Sequence, residues 1–98
     1  MTMSSEDLYN SSPRAIVFYG KTWCPDCHRA RKVLVENKTD FLEVDISKDK
    51  KAGEYVRQIN RGNESVPTII FPDGTILVEP GNSVLRDKLR QLEGHPAS

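Results

Sequence analysis

A run of five apolar, β-favouring residues leads almost directly into the two cysteines of this chain, and this segment limits the possible folds more than any other. Residues 15–19 read AIVFY, Gly20 ends the run, and Cys24 and Cys27 follow in the segment TWCPDC. A continuous apolar run of this length is typical of a strand that is buried on both faces. Pro25 suits the first turn of a helix, so we expect a buried strand, a short turn and a helix that begins at the cysteines.

The hydrophobic pattern of the first half continues this unit with a second strand and a second helix. An apolar stripe carries the first helix to about Glu36, and residues 41–46 alternate between apolar and polar as a strand does. Ser47 is suited to cap the second helix, which should close near Gly62. Two strands joined by a helix in this way are expected to be parallel.

The second half predicts a hairpin and a last helix. Residues 68–71 and 75–79 flank the turn sequence Pro-Asp-Gly, so they should pair as antiparallel strands. Asn82 or Ser83 can cap the helix that follows. Three leucines should face the core from this helix: Leu85, Leu89 and Leu92. The predicted order is therefore β-α-β-α-β-β-α.

Length and composition indicate a single globular domain. The chain has 98 residues, of which 37% are apolar and 29% are charged, enough for one modest core. We expect the domain at residues 14–93, between flexible tails at 1–13 and 94–98. Fourteen basic and fourteen acidic side chains cancel, so charge gives no reason to expect nucleic acid as a partner.

The ends of the chain and its hydropathy favour a cytoplasmic protein. No stretch approaches the roughly 20 apolar residues of a membrane span, and the polar N-terminus lacks the features of a signal peptide. We therefore expect a cytoplasmic monomer without membrane contact. Two cysteines at this spacing in a reducing compartment point to catalysis or metal binding rather than to a structural disulfide.

The sequence Cys-Pro-Asp-Cys-His is compatible with haem attachment, zinc binding or dithiol chemistry. Haem attachment requires export and usually a distal Met or His, yet the methionines are Met1 and Met3 and the other histidine is His95. A closed zinc site needs four ligands, and a helical His28 would point away from Cys24. Dithiol chemistry fits best, because the first turn of a helix stabilises a thiolate through unpaired N–H groups and its positive dipole end.

A second candidate segment, SVPT at residues 65–68, opens the third predicted strand with a proline. Pro67 can simply start that strand, where a proline is tolerated. Alternatively, the Val66–Pro67 bond is cis, which is uncommon without a structural reason. The cis form would present the backbone N–H and C=O of Val66 to a peptide-like ligand beside Cys24.

These motifs give the chain a resemblance to the glutaredoxin group of the thioredoxin superfamily. The resemblance covers residues 14–93 and rests on KTWCPDC, on SVPT and on the order of elements. Residues 43–74 are especially similar to actinobacterial glutaredoxin-like proteins of the mycoredoxin type. The resemblance implies an α/β thioredoxin fold, in which three helices flank a four-stranded mixed sheet. It also implies that the protein is a thiol–disulfide oxidoreductase.

The resemblance also implies roles for the residues around the cysteines. Cys24 would be the nucleophile and Cys27 the resolving thiol. Lys21 would lie near the carboxylate of a low-molecular-weight thiol, and Trp23 would form a wall of the substrate groove. That thiol, mycothiol or glutathione, would be a co-substrate, with disulfide-containing proteins as partners and with no bound cofactor or metal.

The remaining implied roles fall on two loops, where the chain also departs from the family pattern. Val66 and Pro67 would pair with the peptide backbone of the thiol. Asn82 and Ser83 stand in EPGNS, where the family usually has Gly-Gly, and they could cap a helix or hold a carboxylate. Asp26 replaces a common tyrosine, and its carboxylate competes with a thiolate for the N-terminus of the first helix.

Two alternative functions follow from the same resemblance. A thioredoxin-like dithiol donor would be reduced directly by a flavoprotein reductase instead of by a low-molecular-weight thiol. An iron–sulfur or metal carrier would bridge two copies of the chain through Cys24 and a thiol cofactor. The intact CPDC argues against the carrier, since cluster-holding relatives usually have a single active-site cysteine with no proline after it.

Overall fold

The computed structural model describes residue 13 and residues 15–93. In this part of the chain, four strands and three helices follow in the predicted order. They are β1 (Ile16–Gly20), α1 (Pro25–Glu36), β2 (Phe41–Asp45), α2 (Lys50–Ile59), β3 (Thr68–Ile70), β4 (Ile76–Val78) and α3 (Asn82–Glu93). Apart from Pro13, which is buried, the predicted tails lie outside the described residues, so the domain limits of 14 and 93 stay a prediction. None of the described helices has the length and apolar character needed to cross a membrane.

The strands form a mixed sheet in the order β2-β1-β3-β4. β1 lies parallel to β2, with Ile16 opposite Phe41, and antiparallel to β3, with Val17 opposite Ile70. β3 and β4 form the predicted antiparallel hairpin. The expected thioredoxin fold, with a parallel first pair of strands and a hairpin at the other edge, is confirmed.

The central strand β1 separates two apolar cores, because its side chains alternate between the faces of the sheet. Ile16 and Phe18 pack with α1 and α3, whereas Val17 and Tyr19 pack with α2. All five residues of β1 are buried. Both faces of the strand are therefore apolar, which explains the continuous apolar run and confirms that prediction.

The N-termini of α2 and α3 differ from the prediction. Asp49 caps α2, since its Oδ1 accepts the Ala52 N–H at 3.0 Å. The predicted cap Ser47 is wrong because this serine lies in the turn before the helix, where its hydroxyl donates to Asp45 at 2.5 Å. The predicted caps of α3 are also wrong, because that helix begins at Asn82 and the Gly81 carbonyl accepts its first backbone hydrogen bond. Asn82 and Ser83 therefore lie within the first turn.

The hairpin turn and the last helix are joined by a buried cation. The Lys88 ammonium is largely buried and lies 2.5 Å from Asp73 Oδ2 in the turn. It also donates to Thr75 Oγ1 at 2.9 Å and lies over the ring of Phe71. The three predicted leucines of α3 pack into or against the core. Together these contacts hold α3 on the same face of the sheet as α1.

Candidate active site

Cys24 is the N-cap residue of α1. Its backbone is extended, with φ −87° and ψ 115°, and its Sγ accepts the backbone N–H of Cys27 at 3.2 Å. The sulfur thus takes the position in which Ser or Asp oxygens usually cap a helix. An N–H donor and the positive end of the helix dipole favour negative charge at this atom. Cys24 is half-buried, whereas a thiol that attacks a disulfide must be at least partly exposed, and Cys24 meets this condition.

Cys27 lies one turn into the same helix and is fully buried in the core between the sheet and α1. Burial, reinforced by the hydrogen bond with the Cys24 side chain, raises the pKa of Cys27 to about 12. Gly20, the last residue of β1, has no side chain and so leaves room for the sulfur of Cys27. A Cβ on Gly20 would lie 3.0 Å from Cys27 Sγ and 2.8 Å from the Phe18 ring.

The loop before β3 lies beside Cys24. The Val66–Pro67 bond is cis, as the second of the two interpretations proposed, and the Cys24 thiol donates to the Val66 carbonyl at 3.8 Å. Thr68 is buried and its hydroxyl donates to the Ser65 carbonyl at 2.6 Å, while Asn60 donates to that hydroxyl. Partly buried hydrogen bonds therefore fix the Ser65–Pro67 segment beside the cysteine.

The other two predicted residues near the cysteines, Lys21 and Trp23, differ in their contacts. The Lys21 ammonium lies 3.0 Å from Glu64 Oε1, and Arg57 pairs with the same carboxylate. This carboxylate has a lowered pKa because Lys21 donates a hydrogen bond to it. Trp23 is 90% exposed directly before Cys24. The structure thus leaves the indole open to a ligand and gives Lys21 a partner from the chain itself.

Arg29 connects the start of α1 to the start of α3. It donates to Asn82 Oδ1 at 2.8 Å and to the Pro80 carbonyl at 3.4 Å. Its other amino group lies 3.0 Å from Asp26 Oδ1. The Asp26 carboxylate in the first turn of α1 is therefore balanced by a cation, and Asn82 is held toward α1. Ser83 is exposed in the first turn of α3.

Sequence reasoning missed Asp45, which supports the active-site loop. Asp45 Oδ2 accepts the Thr22 hydroxyl at 2.7 Å, and Oδ1 accepts the Ser47 N–H and hydroxyl. Hydrogen bonds from Ser47 and Thr22 lower the pKa of Asp45 to about 2. A signal existed, because parallel β1 and β2 end at the same edge of the sheet, so a polar residue ending β2 lies near the loop after Gly20.

Fold and site together define a thioredoxin-fold protein with a dithiol at the N-terminus of its first helix. The family model for glutaredoxin matches residues 16–76, which extend from β1 into β4. The chain therefore belongs to the glutaredoxin family, and it is a thiol–disulfide oxidoreductase.

Individual relatives agree with this assignment. A Mycobacterium tuberculosis protein provisionally named a glutaredoxin is 36% identical over 80 residues, which cover 82% of this chain and 95% of that protein. Mycoredoxin 1 of Corynebacterium glutamicum is 38% identical over 65 residues, covering 66% of this chain and 80% of its own. The crystal structure of a glutaredoxin from Archaeoglobus fulgidus matches with a TM-score of 0.64 at 28% identity, covering 86% of this chain and 91% of that one.

Proposed function

We propose that the chain reduces mixed disulfides between proteins and a low-molecular-weight thiol, with Cys24 as nucleophile and Cys27 as resolving thiol. The observation that carries this proposal is the unequal environment of the two sulfurs. Cys24 is partly exposed and its Sγ accepts a helix N–H, whereas Cys27 is fully buried and has a pKa of about 12. The thiolate is the attacking form of a cysteine, so the first step belongs to Cys24.

In the first step, the Cys24 thiolate attacks the sulfur of the small thiol in the mixed disulfide. A bond forms between Cys24 and that sulfur, the old S–S bond breaks, and the substrate protein leaves as a thiolate. The N–H of Cys27 that holds Cys24 Sγ lowers the energy of the attacking anion. The protein substrate is reduced and the small thiol remains attached to Cys24.

The second step regenerates Cys24 by one of two routes. A second molecule of the small thiol can attack the adduct, which releases a low-molecular-weight disulfide and the Cys24 thiolate. Alternatively, Cys27 attacks Cys24 Sγ, the bond between Cys24 and the small thiol breaks, and the proton lost by Cys27 ends on the departing small thiol, which leaves a Cys24–Cys27 disulfide. Burial is the larger cause of the raised pKa of Cys27, and it is still present when Cys24 carries the adduct. The contribution of the free Cys24 thiol is then lost.

We place the small thiol between the Val66 backbone and Trp23. The Val66 carbonyl lies 3.8 Å from Cys24 Sγ and the Trp23 indole is open to solvent. A peptide-like thiol bound to Cys24 would form backbone hydrogen bonds with Val66, next to Pro67, while the indole covers one side. Asn82 and Ser83 would contribute at the rim of the same groove, where Arg29 holds Asn82.

Mycothiol and glutathione are the two candidate thiols, and the cytoplasm, where such thiols are kept reduced, is the proposed compartment. The name of the similar Corynebacterium glutamicum protein, Mycoredoxin 1, supports mycothiol. A flavoprotein reductase acting directly on a Cys24–Cys27 disulfide is the competing source of electrons. Comparing reduction of the oxidised chain by mycothiol, by glutathione and by a thioredoxin-reductase system separates these cases.

Replacing each cysteine in turn tests the proposed roles. Cys24→Ser should abolish release of the small thiol from a peptide mixed disulfide, because the attacking sulfur is gone. Cys27→Ser should retain this activity through the route that uses a second small thiol, and it should accumulate the Cys24 adduct, visible by intact-protein mass spectrometry. An active Cys24→Ser variant beside an inactive Cys27→Ser variant would reverse the assignment.

A further inference from the structure

Glu64 pairs with two cations, Lys21 in the loop that leads to Cys24 and Arg57 in α2. Its carboxylate accepts Lys21 Nζ through Oε1 at 3.0 Å and pairs with the Arg57 guanidinium through Oε2. Together with Lys48 and Lys50, these residues line a cleft of about 440 Å³. Lys21 and Arg57 therefore share one carboxylate of the protein as their ion-pair partner.

The ion pair also bridges the two segments that flank Cys24. Lys21 lies in the loop between β1 and α1, three residues before Cys24, and its carbonyl accepts the Cys24 N–H at 3.4 Å. Glu64 lies two residues before Val66, whose carbonyl contacts Cys24 Sγ. A small thiol seated between Cys24 and Val66 would therefore extend its substituents toward the Lys21–Glu64 pair.

The charges of this pair bear on which small thiol the site can accept. Glutathione carries two carboxylates. In mycothiol the cysteine is N-acetylated and its carboxyl group forms an amide with an amino sugar, so no carboxylate is left. An anionic substituent has to displace Glu64 from its cations or lie beside a like charge, which is unfavourable. An uncharged substituent meets neither obstacle. Lys48 and Lys50 are exposed on the β2–α2 side of the cleft, where salt screens their attraction for anions.

We propose that Glu64 is a specificity-determining residue: it engages both Lys21 and Arg57, cancels one of their two positive charges and places its own negative charge beside them, and thereby favours an uncharged low-molecular-weight thiol over one that bears carboxylates. This inference rests on the proposed function and names the substrate class of the same site. The side chains in the pair are about one-third exposed, so each contact is a modest surface interaction that a ligand can displace at a cost.

The test compares two peptide mixed disulfides, one with N-acetylglutathione and one with its diethyl ester, in which both carboxylates are replaced by uncharged ethyl esters. The wild-type chain should have the higher kcat/KM for the ester. Glu64→Gln keeps the shape of the side chain and removes its charge, so it should raise kcat/KM for the acid about three- to tenfold and change the ester less than twofold. Adding Lys21→Gln to this variant should reduce the gain, because one of the two freed cations is then lost.

Glu54→Gln is the matched control, since it removes an exposed carboxylate from α2 and should leave the ratio of the two kcat/KM values unchanged. If Glu64→Gln also leaves this ratio unchanged, or lowers activity on both substrates equally, Glu64 only supports the loop and the inference is wrong. If the wild-type chain releases neither small thiol, the proposed function itself fails, so the two failures are distinguishable.

Discussion

Cys24 and Cys27 are three residues apart, yet Cys24 ends an extended segment while Cys27 lies inside the first turn of α1. The sequence predicted this difference in position, because Pro25 and the preceding strand place the helix start between the two sulfurs. The depth at which Cys27 is buried was not predictable. This depth depends on how closely α1 packs against β1 at Gly20. That distance is set by tertiary packing and cannot be read from the local sequence.

Gly20→Ala should therefore disturb the second sulfur. The new Cβ would lie 3.0 Å from Cys27 Sγ and 2.8 Å from the Phe18 ring, and both groups are buried and cannot move aside freely. We expect the free energy of unfolding to fall by about 1–3 kcal/mol, measured by urea denaturation. Gly81→Ala is the control, because no atom lies within 4 Å of its added Cβ and only a helix-cap preference changes. Equal stability of both variants would contradict the close contact.

The buried thiol should also be unreactive. A pKa of about 12, raised above the ordinary 9.0 chiefly by burial, leaves very little Cys27 thiolate at neutral pH. In the Cys24→Ser variant, iodoacetamide should therefore label Cys27 very slowly between pH 7 and 9 in the native state and rapidly after unfolding in urea. Mass spectrometry counts the label. Fast labelling of the native variant at pH 7 would show that Cys27 is open to solvent.

At the scale of elements, one side chain of α1 makes polar contacts with the start of α3. Arg29 of α1 reaches Asn82 and the Pro80 carbonyl at the start of α3. The sequence presented Asn82 as a candidate cap because capping is a local property, readable from the residues beside a helix start. Its actual partner is 53 positions away. Contacts at such separation follow from the packing of the helices, so sequence patterns did not reveal this one.

Arg29→Met should weaken this junction while preserving much of the aliphatic stem. The variant loses the hydrogen bonds to Asn82 and Pro80 and leaves Asp26 without its partner, at a cost of about 1 kcal/mol for a partly exposed charged group. Arg90→Met is the matched control, because within the described residues Arg90 pairs with Asp87 on the same helix alone, and both side chains are highly exposed. Thermal denaturation should show a lower Tm for Arg29→Met alone. Equal shifts in both variants would mean that the junction adds no stability.

Across the whole molecule, the two cores follow from the sequence more directly than the polar contacts do. The apolar run in β1 predicted a central strand covered on both faces, and the apolar stripe of α1 and the leucines of α3 predicted what covers one of them. Hydrophobic burial is periodic along each element, so it can be read locally. The bond between Asp73 in the hairpin turn and Lys88 in α3 joins two separate elements, and it required the fold to be known.

This bond should make the stability of the molecule depend on pH in acid. Lys88, together with hydrogen bonds from Thr75, lowers the pKa of Asp73 to about 2 from its ordinary 3.8. A lowered folded-state pKa means that the unfolded chain binds the proton more readily, so this contribution is complete above about pH 4 and is lost as the pH falls through 2. Asp73→Asn should therefore lower the free energy of unfolding by a constant amount from pH 7 to about pH 4. The difference from the wild type should shrink below pH 4, measured by urea denaturation at each pH.

Asp87→Asn, which alters an exposed pair within α3, is the control and should show a much smaller loss. A difference for Asp73→Asn that stays constant down to pH 2 would show that Lys88 does not hold the carboxylate in its charged form.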